Sequence, residues 1–281
     1  MGCSLGKYLR THGAEVTGYY DRDTQAAADA AKFTETACYG TAGELAGDCD
    51  VLFITVPDGL IRPVFEELAK TCTLRDKYIC HCSGSISSTE ALAGARAAGA
   101  YAYSVHPLFA VSDRFATYRE LADAFFTLEG APEHLDDMSA YLAKAGLKHQ
   151  IIDPASKTKY HLAAVYASNL ICGLIGEASL LLQECGFSEE DALTALTPLI
   201  RGNVEHTLDV GPAQALTGPV ERGDVTTLQK HLSVCEGEED RQLYRLLSGK
   251  LLRLAKKKHP ERDYGEITEF LRREEDDTVC G

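Results

Sequence analysis

Short β-rich runs alternate with helical stretches from residue 14 to residue 152, and then the alternation stops. "AEVTGYY", "DVLFITVPD", "YICHCSG", "AYAYSVHP", "AFFTLEG" and "HQIIDP" carry the β-branched and aromatic residues of buried strands. Stretches such as "GLIRPVFEELAKTC" and "STEALAGARAAG" lie between several of them. Strands separated by helices predict a mostly parallel sheet with helices on both faces, and the later, less separated strands predict an added edge. From about Ser156 onward the pattern is almost pure helix, as in "SKTKYHLAAVYASNLICGLIGEASLLLQECG" and "EEDRQLYRLLSGKLLRLAKKK". The expected class is α/β: a doubly wound, mostly parallel sheet domain over 1–153, then an all-helical domain over 154–281. The boundary is expected at Asp153-Pro154.

The opening "MGCSLGKYLRTHGAEVTGYYDRD" constrains the first domain further. Leu5, Tyr8 and Leu9 recur at helical spacing, Gly13 stops that helix, and the next strand ends in Asp21. A dinucleotide fingerprint G-x-G-x-x-G stands between a first strand and such a helix, with an acidic residue about 20 positions on. Gly2 can serve only as its last glycine, and Asp21 follows at 19 positions. The expected anion site is the helix N-terminus at Gly2, Cys3 and Ser4, where backbone N–H groups and the helix dipole favour a pyrophosphate. Asp21 would accept hydrogen bonds from the adenosine ribose, and Arg22 beside it could instead hold a 2′-phosphate. A strand-end turn with solvated charges is the alternative reading of that pair.

A chain of 281 residues can bury a substantial core. Its formal net charge of −14 argues against a nucleic-acid partner, since phosphate-backbone binding needs clustered Lys and Arg. The one basic run, Arg253 to Arg262, reads as a solvated helix end. The ten cysteines form no C-x-x-C pair, so reduced thiols in a cytoplasmic protein are expected, and no metal site. The stretch "YHLAAVYASNLICGLIGEASLLL" is long enough to span a bilayer, but His161, Ser168, Asn169 and Glu177 interrupt it. A buried helix of a protein without a membrane span is expected there.

Three strand ends carry chemistry to the carboxyl edge of the sheet, where open α/β sheets bind ligands. The first delivers Val56, Pro57 and Asp58, with Asp58 a helix cap whose backbone neighbours can lie along a cofactor. The second, "HCSGSISS", brings Ser83 and Gly84, which can hydrogen-bond a substrate carboxylate. The third, "YSVHPLFAV", brings His106, a plausible proton donor or acceptor by its intrinsic pKa. His81 reads as structural. On the first long helix His161, Val165, Ser168 and Asn169 fall on one stripe, which lines either a cleft or a subunit contact. In "ALTGPVERGDVTTLQKHL" Asp224 is a helix N-cap, and Arg222 could hold a substrate acid group.

Together "DVLFITVPD", "HCSGSISS", "SVHPLF", "KYHLAAVYASNL" and "ALTGPVERGD" resemble a bacterial family with a Rossmann-like domain followed by a helical domain of unknown function, often described as an NADP oxidoreductase of the deazaflavin-dependent type. The plan is also similar to the wider group of 6-phosphogluconate, 3-hydroxyisobutyrate and prephenate dehydrogenases and pyrroline-5-carboxylate reductase. The resemblance implies an NAD(P)-dependent oxidoreductase acting on a small carbonyl, imine or hydroxy-acid substrate, and a homodimer through the helical domain. It implies that His106 lies by the active site and that Ser83 and Gly84 bind substrate; from the residues themselves His106, then His161, is expected to handle the proton, with Asn169 and Arg222 also holding substrate. Two departures stand out. The hydroxy-acid enzymes place a catalytic lysine four residues before an Asn on the first helix of the second domain, where this sequence has Val165 before Asn169. The first strand and first two glycines of the fingerprint are also missing, so the start is expected upstream, with Met1 internal or a misplaced start codon. The chain as written is expected to fold poorly and to bind dinucleotide weakly. A non-catalytic dinucleotide sensor or assembly protein on the same fold is the rival reading.

Overall fold

The computed structural model describes residues 1–111 and 113–276. They form two compact units, Met1–Cys172 and Gly173–Gly281. In chain order the first contains α1 (Gly2–Thr11), β1 (Gly18–Tyr19), α2 (Thr24–Thr34), β2 (Ala37–Cys38), α3 (Ala42–Gly47), β3 (Val51–Ile54) and α4 (Asp58–Thr71). There follow β4 (Tyr78–His81), α5 (Ser88–Ala91), β5 (Tyr101–Leu108), β6 (Phe125–Gly130), α6 (Leu135–Lys144), β7 (Lys148–Ile151) and α7 (Lys157–Tyr166). The division between units falls inside α8 (Asn169–Glu184), so α7, which the sequence pattern assigns to the helical domain, belongs to the first unit.

Five strands form one sheet in the order β3-β4-β5-β6-β7. All pairs are parallel except β5 with β6, the expected added edge. β1 and β2 form a separate parallel pair. Val16, Gly18 and Tyr19 on the β1 side and Val51, Phe53 and Thr55 on the β3 side line a common cavity of about 450 Å³, and no described strand pairs with either facing edge. The doubly wound class therefore holds, with the sheet in two pieces.

Alternation along β4, β5 and β6 sorts side chains onto two faces. Cys80, Tyr103, Val105, Phe126 and Leu128, all fully buried, join Leu5, Tyr8 and Leu9 of α1 in an apolar core. The residues between them point to the other face. There the register sets His81 against Ser104, Ser104 against Glu129 and His106 against Thr127. Polar side chains thus form two adjacent rows across three strands, and all but His106 are buried.

The second unit comprises the remainder of α8 with α9 (Glu189–Val210), α10 (Pro212–Ala215), α11 (Pro219–Arg222), α12 (Val225–Val234), α13 (Glu238–Lys258) and α14 (Gly265–Asp276). Val220, Leu228, Leu252, Ala255, Tyr264 and Ile267 make its core. Asp224 caps α12 as expected, accepting a hydrogen bond from the Thr227 amide at 3.0 Å. Glu221 ties the helix ends together: its carboxylate pairs with His259 at 2.5 Å, and its carbonyl accepts bonds from Arg262 and Tyr264.

Two expectations for the apolar stretch are corrected. Pro154–Glu184 is long and apolar enough to cross a membrane by length and composition, with a hydropathy of 1.5, yet it is not one buried helix. The helix breaks at Ala167-Ser168, where the Ser168 hydroxyl bonds back to the Ala164 carbonyl at 2.7 Å. Only Lys157 of α7 is fully buried, and no residue of α8 is. Leu174, Leu180 and Leu181 of α8 and Leu193, Leu199 and Leu208 of α9 are exposed among the described residues.

Candidate functional site

The site is built on the polar face of β4, β5 and β6 and closed by α7. Lys157, Tyr160 and His161 lie three and four residues apart, so one helix face carries all three. Lys157 is 2% exposed, and its Nζ donates to the Ser104 hydroxyl at 2.6 Å. Glu129, opposite Ser104 in the ladder and 1% exposed, accepts bonds from the Ser88 amide at 2.8 Å and hydroxyl at 2.6 Å. Burial pushes the Lys157 ammonium down to about 8, against the pull of the Glu129 carboxylate.

His106 leaves β5 toward α7, where its Nδ1 and Tyr160 Oη share a hydrogen bond of 2.7 Å with the rings edge to face. Its Nε2 lies against Gly84: a Cβ there would be 2.7 Å from His106 Nε2 and 2.9 Å from His161 Cδ2. Glycine is required for this approach. Burial, then Lys157 and His161, push the His106 imidazole down to about 4, so the ring is neutral near pH 7. His81 is buried and accepts a hydrogen bond from the Ser83 amide on Nδ1 at 3.2 Å. Its Nε2 is buried without a hydrogen-bond partner among the described residues. Burial and Lys157 hold His81 down to about 4 as well.

Four of the predicted residues are brought together within the first unit. Ser83, Gly84, His106 and His161 converge. The Ser83 hydroxyl, however, donates to Asp58 Oδ2 at 2.8 Å and accepts from the amides of Ser85 and Ile86. It shapes the turn after β4. Asp58 accepts from the Ser85 hydroxyl as well, at 2.8 Å, and so clamps the ends of β3 and β4; it is the first residue of α4 behind Pro57 and makes no side-chain cap bond, so the expected cap is not formed. Asn169 is exposed and receives a bond from Ser168, since the break after α7 takes it out of line with His161. Arg222 ends α11 in the second unit, exposed, near Asp224.

At the other strand ends, Gly2 presses α1 onto β3: a Cβ there would lie 2.5 Å from Thr55 Oγ1. Cys3 is half-buried, and Ser4 is fully buried, its hydroxyl donating to the Arg114 carbonyl at 2.8 Å. Ser4 therefore anchors the loop after β5, and its hydroxyl is spent before any ligand arrives. Asp21 and Arg22 are exposed at the end of β1, with Asp21 Oδ1 accepting from the Asp23 amide at 2.9 Å. Among the described residues no group of three or more His, Cys, Asp or Glu side chains is placed to hold a metal ion.

Lys157, Tyr160, Glu129, Ser88 and Ser104 were not foreseen. Their signal was present: i, i+3, i+4 spacing on α7, and polar residues alternating with apolar ones along "YSVHP" and "FFTLEG".

Fold and site together define a Rossmann-like α/β protein with the general architecture of dinucleotide-dependent oxidoreductases. Residues 124–251 match the domain of unknown function DUF2520, so the expected resemblance holds. No curated protein matches the chain. Among solved structures it is similar to TM1727 from Thermotoga maritima, with 25% identity and a TM-score of 0.74 over 91% of this chain and 96% of that one. BF3122 from Bacteroides fragilis, provisionally named an NADP oxidoreductase, is 19% identical, with a TM-score of 0.66 over 89% and 93%. A reductive aminase from Aspergillus terreus in complex with NADPH is 16% identical, with a TM-score of 0.62 over 96% and 95%. The likeness to the latter two is one of fold.

Proposed function

We propose that this chain is an NAD(P)-dependent oxidoreductase acting on a small carbonyl, imine or hydroxy-acid substrate, with His106 as the proton partner. The observation that carries this reading is the convergence of His106, His161, Tyr160 and Lys157 at the carboxyl end of β5, beside a glycine that admits no side chain. Such a cluster sits where doubly wound sheets bind ligands, and neighbours of the same fold hold NADPH or NADP+.

The residues present fit a dinucleotide. The first-turn amides of Gly2 and Cys3 head α1, whose dipole favours a diphosphate, and the close approach of Gly2 to Thr55 brings that helix end to the carboxyl edge. Asp21 and Arg22 stand at the ribose end. The bound group would supply hydride chemistry; the protein supplies orientation and the proton. A buried ammonium beside a neutral imidazole favours negative charge developing on a substrate oxygen. Ser83 and Asp58 act by fixing the Gly84 turn. Asn169 and Arg222 are retained as candidate substrate contacts, and α7 and α8 as the frame of a cleft or a subunit contact.

A homodimer through the helical unit accounts for the exposed leucines of α8 and α9, since exposed apolar patches of this kind mark association sites. A cytoplasmic location fits the free thiols, and the pairing of Lys157 and Tyr160 with the sheet fits a chain outside the membrane.

Parallel fluorescence titrations with NADH and NADPH test the dinucleotide site, and a screen of keto acids, imines and alcohols tests turnover. H106A should lower kcat by about 100-fold or more while leaving cofactor affinity within twofold. Equal losses in both would remove His106 from the proton step. Binding without turnover over the whole screen would favour the sensor reading.

A further inference from the structure

Tyr160 was assigned no role by the sequence, yet among the described residues it makes the side-chain hydrogen bond to the proposed proton partner. We propose that Tyr160 is a positioning residue that holds His106 as the Nε2–H tautomer and refills it from behind, so that the imidazole delivers a proton without ever becoming charged. This rests on the oxidoreductase reading for its chemistry, although the tautomer itself does not.

The geometry assigns the direction. A neutral imidazole has one donor nitrogen and one acceptor nitrogen. Nε2 faces the Gly84 turn beside His161, and Nδ1 faces Tyr160 Oη at 2.7 Å. The Thr127 hydroxyl, buried and without a hydrogen-bond partner among the described residues, is a neighbour of the Tyr160 phenol. A hydroxyl donor on that side favours a chain in which Thr127 points at Tyr160 and Tyr160 donates to Nδ1. Lys157 Nζ lies 5.7 Å from the Tyr160 ring centroid, close enough to stabilise a phenolate without bonding to it.

An imidazolium is a poor resident here. Lys157 and His161 flank His106, and His81 and Asp58 are its other charged or titratable neighbours, so a second positive charge is opposed on most sides. A relay avoids that charge. A bound reduced nicotinamide dinucleotide would supply the substrate carbon with a hydride, which carries both electrons. The Nε2–H bond of His106 then breaks as its proton passes to the adjoining oxygen or nitrogen. In the same event the Tyr160 O–H bond breaks and a Nδ1–H bond forms. The imidazole ends neutral, in its other tautomer, and Tyr160 ends as a phenolate. Return of the Nδ1 proton to the phenolate and uptake of one proton from water at Nε2 restore the resting state. Burial raises the Tyr160 phenol above its usual range, but it remains a far stronger acid than the alcohol formed.

The test pairs ¹⁵N NMR of histidine-labelled protein, with His106 assigned through H106Q, with kinetics of Y160F. We expect wild-type His106 to show a protonated Nε2 and a bare Nδ1, and Y160F to shift it to a mixture of tautomers. A protonated Nδ1 in the wild type, or an unchanged tautomer in Y160F, overturns the proposal. In turnover, Y160F should lose about 100-fold in kcat with KM within twofold; a kcat within threefold of wild type overturns the relay. If Y160F does not fold, fluorotyrosine at this position alone keeps the packing and acidifies the phenol. It should then shift the kcat pH profile to lower pH, and an unmoved profile counts against the relay. Failure of the wild type to bind either dinucleotide would instead remove the oxidoreductase reading, and the NMR result would still decide the tautomer.

Discussion

Lys157 offers a measurement in which electrostatics and stability are read together. Its side chain is buried, and among the described residues no carboxylate lies within ion-pair distance; Ser104 is its hydrogen-bond partner and Glu129 the anion that acts on it most strongly. Burial moves the group from the ordinary 10.5 to about 8. A base whose folded-state value is depressed binds fewer protons in the folded chain than in the unfolded one between those two values. Stability should therefore rise with pH across that window, by about 3 kcal/mol in full, at about 1.4 kcal/mol per unit. Below pH 8 both states are protonated and the cost of burying the charge is felt undiminished. Urea unfolding of the wild type and K157M at intervals from pH 7 to 10.5 would isolate the effect, because tyrosines and cysteines titrate in both proteins. Loss of the cation beside Glu129 adds a constant offset to K157M. The wild-type minus variant difference should climb by about 2–3 kcal/mol over the window. A flat difference would mean that water reaches Lys157 freely, and the closed polar layer described above would be wrong.

Other outcomes follow from the same contacts. G84A should displace His106 and His161, costing about 1–3 kcal/mol of stability and most of the turnover; wild-type kinetics in G84A would contradict the close approach. His81 and His106, both depressed to about 4 from 6.5, should make the fold lose stability as pH falls from about 6.5 toward 4. H81Q should flatten part of that acid limb in urea titrations. D58A removes the common acceptor of the Ser83 and Ser85 hydroxyls and should cost about 1–2 kcal/mol, with a raised KM if the Gly84 turn loosens. Charged substitution of Leu199 and Leu208, exposed by 67% and 79%, should leave the monomer folded but abolish association in light scattering.

Much of the scaffold was legible because it depends on local pattern. The alternation of strand and helix up to residue 152 announced a mostly parallel sheet, and the run of closely spaced strands announced an added edge; that β5 and β6 pair antiparallel there came from the structure. The cap at Asp224 behaved likewise, whereas the one expected at Asp58 is not formed, because its carboxylate is taken by the Ser83 and Ser85 hydroxyls. His106 and Gly84 could be named as neighbours of one sheet edge because successive strand ends in such a sheet share that edge. Where the sequence misled, a local pattern met a competing local bond. The helix through Tyr166 and Asn169 breaks because a serine hydroxyl takes a backbone carbonyl, which removes Asn169 from the stripe.

The sequence alone determined which residues share a face: period two on β4, β5 and β6, and the three-four spacing of Lys157, Tyr160 and His161 on α7. It could not say that these two faces meet. A lysine sought at one fixed distance from Asn169 was missed, whereas the lysine present lies twelve residues before it and reaches Ser104 across 53 positions of chain. Likewise Ser4, free by motif, is consumed by a carbonyl 110 residues away. Tertiary structure decided both, because a hydroxyl or ammonium leaving water takes whichever partner the packing brings within reach, and reach across the fold is not written in local spacing.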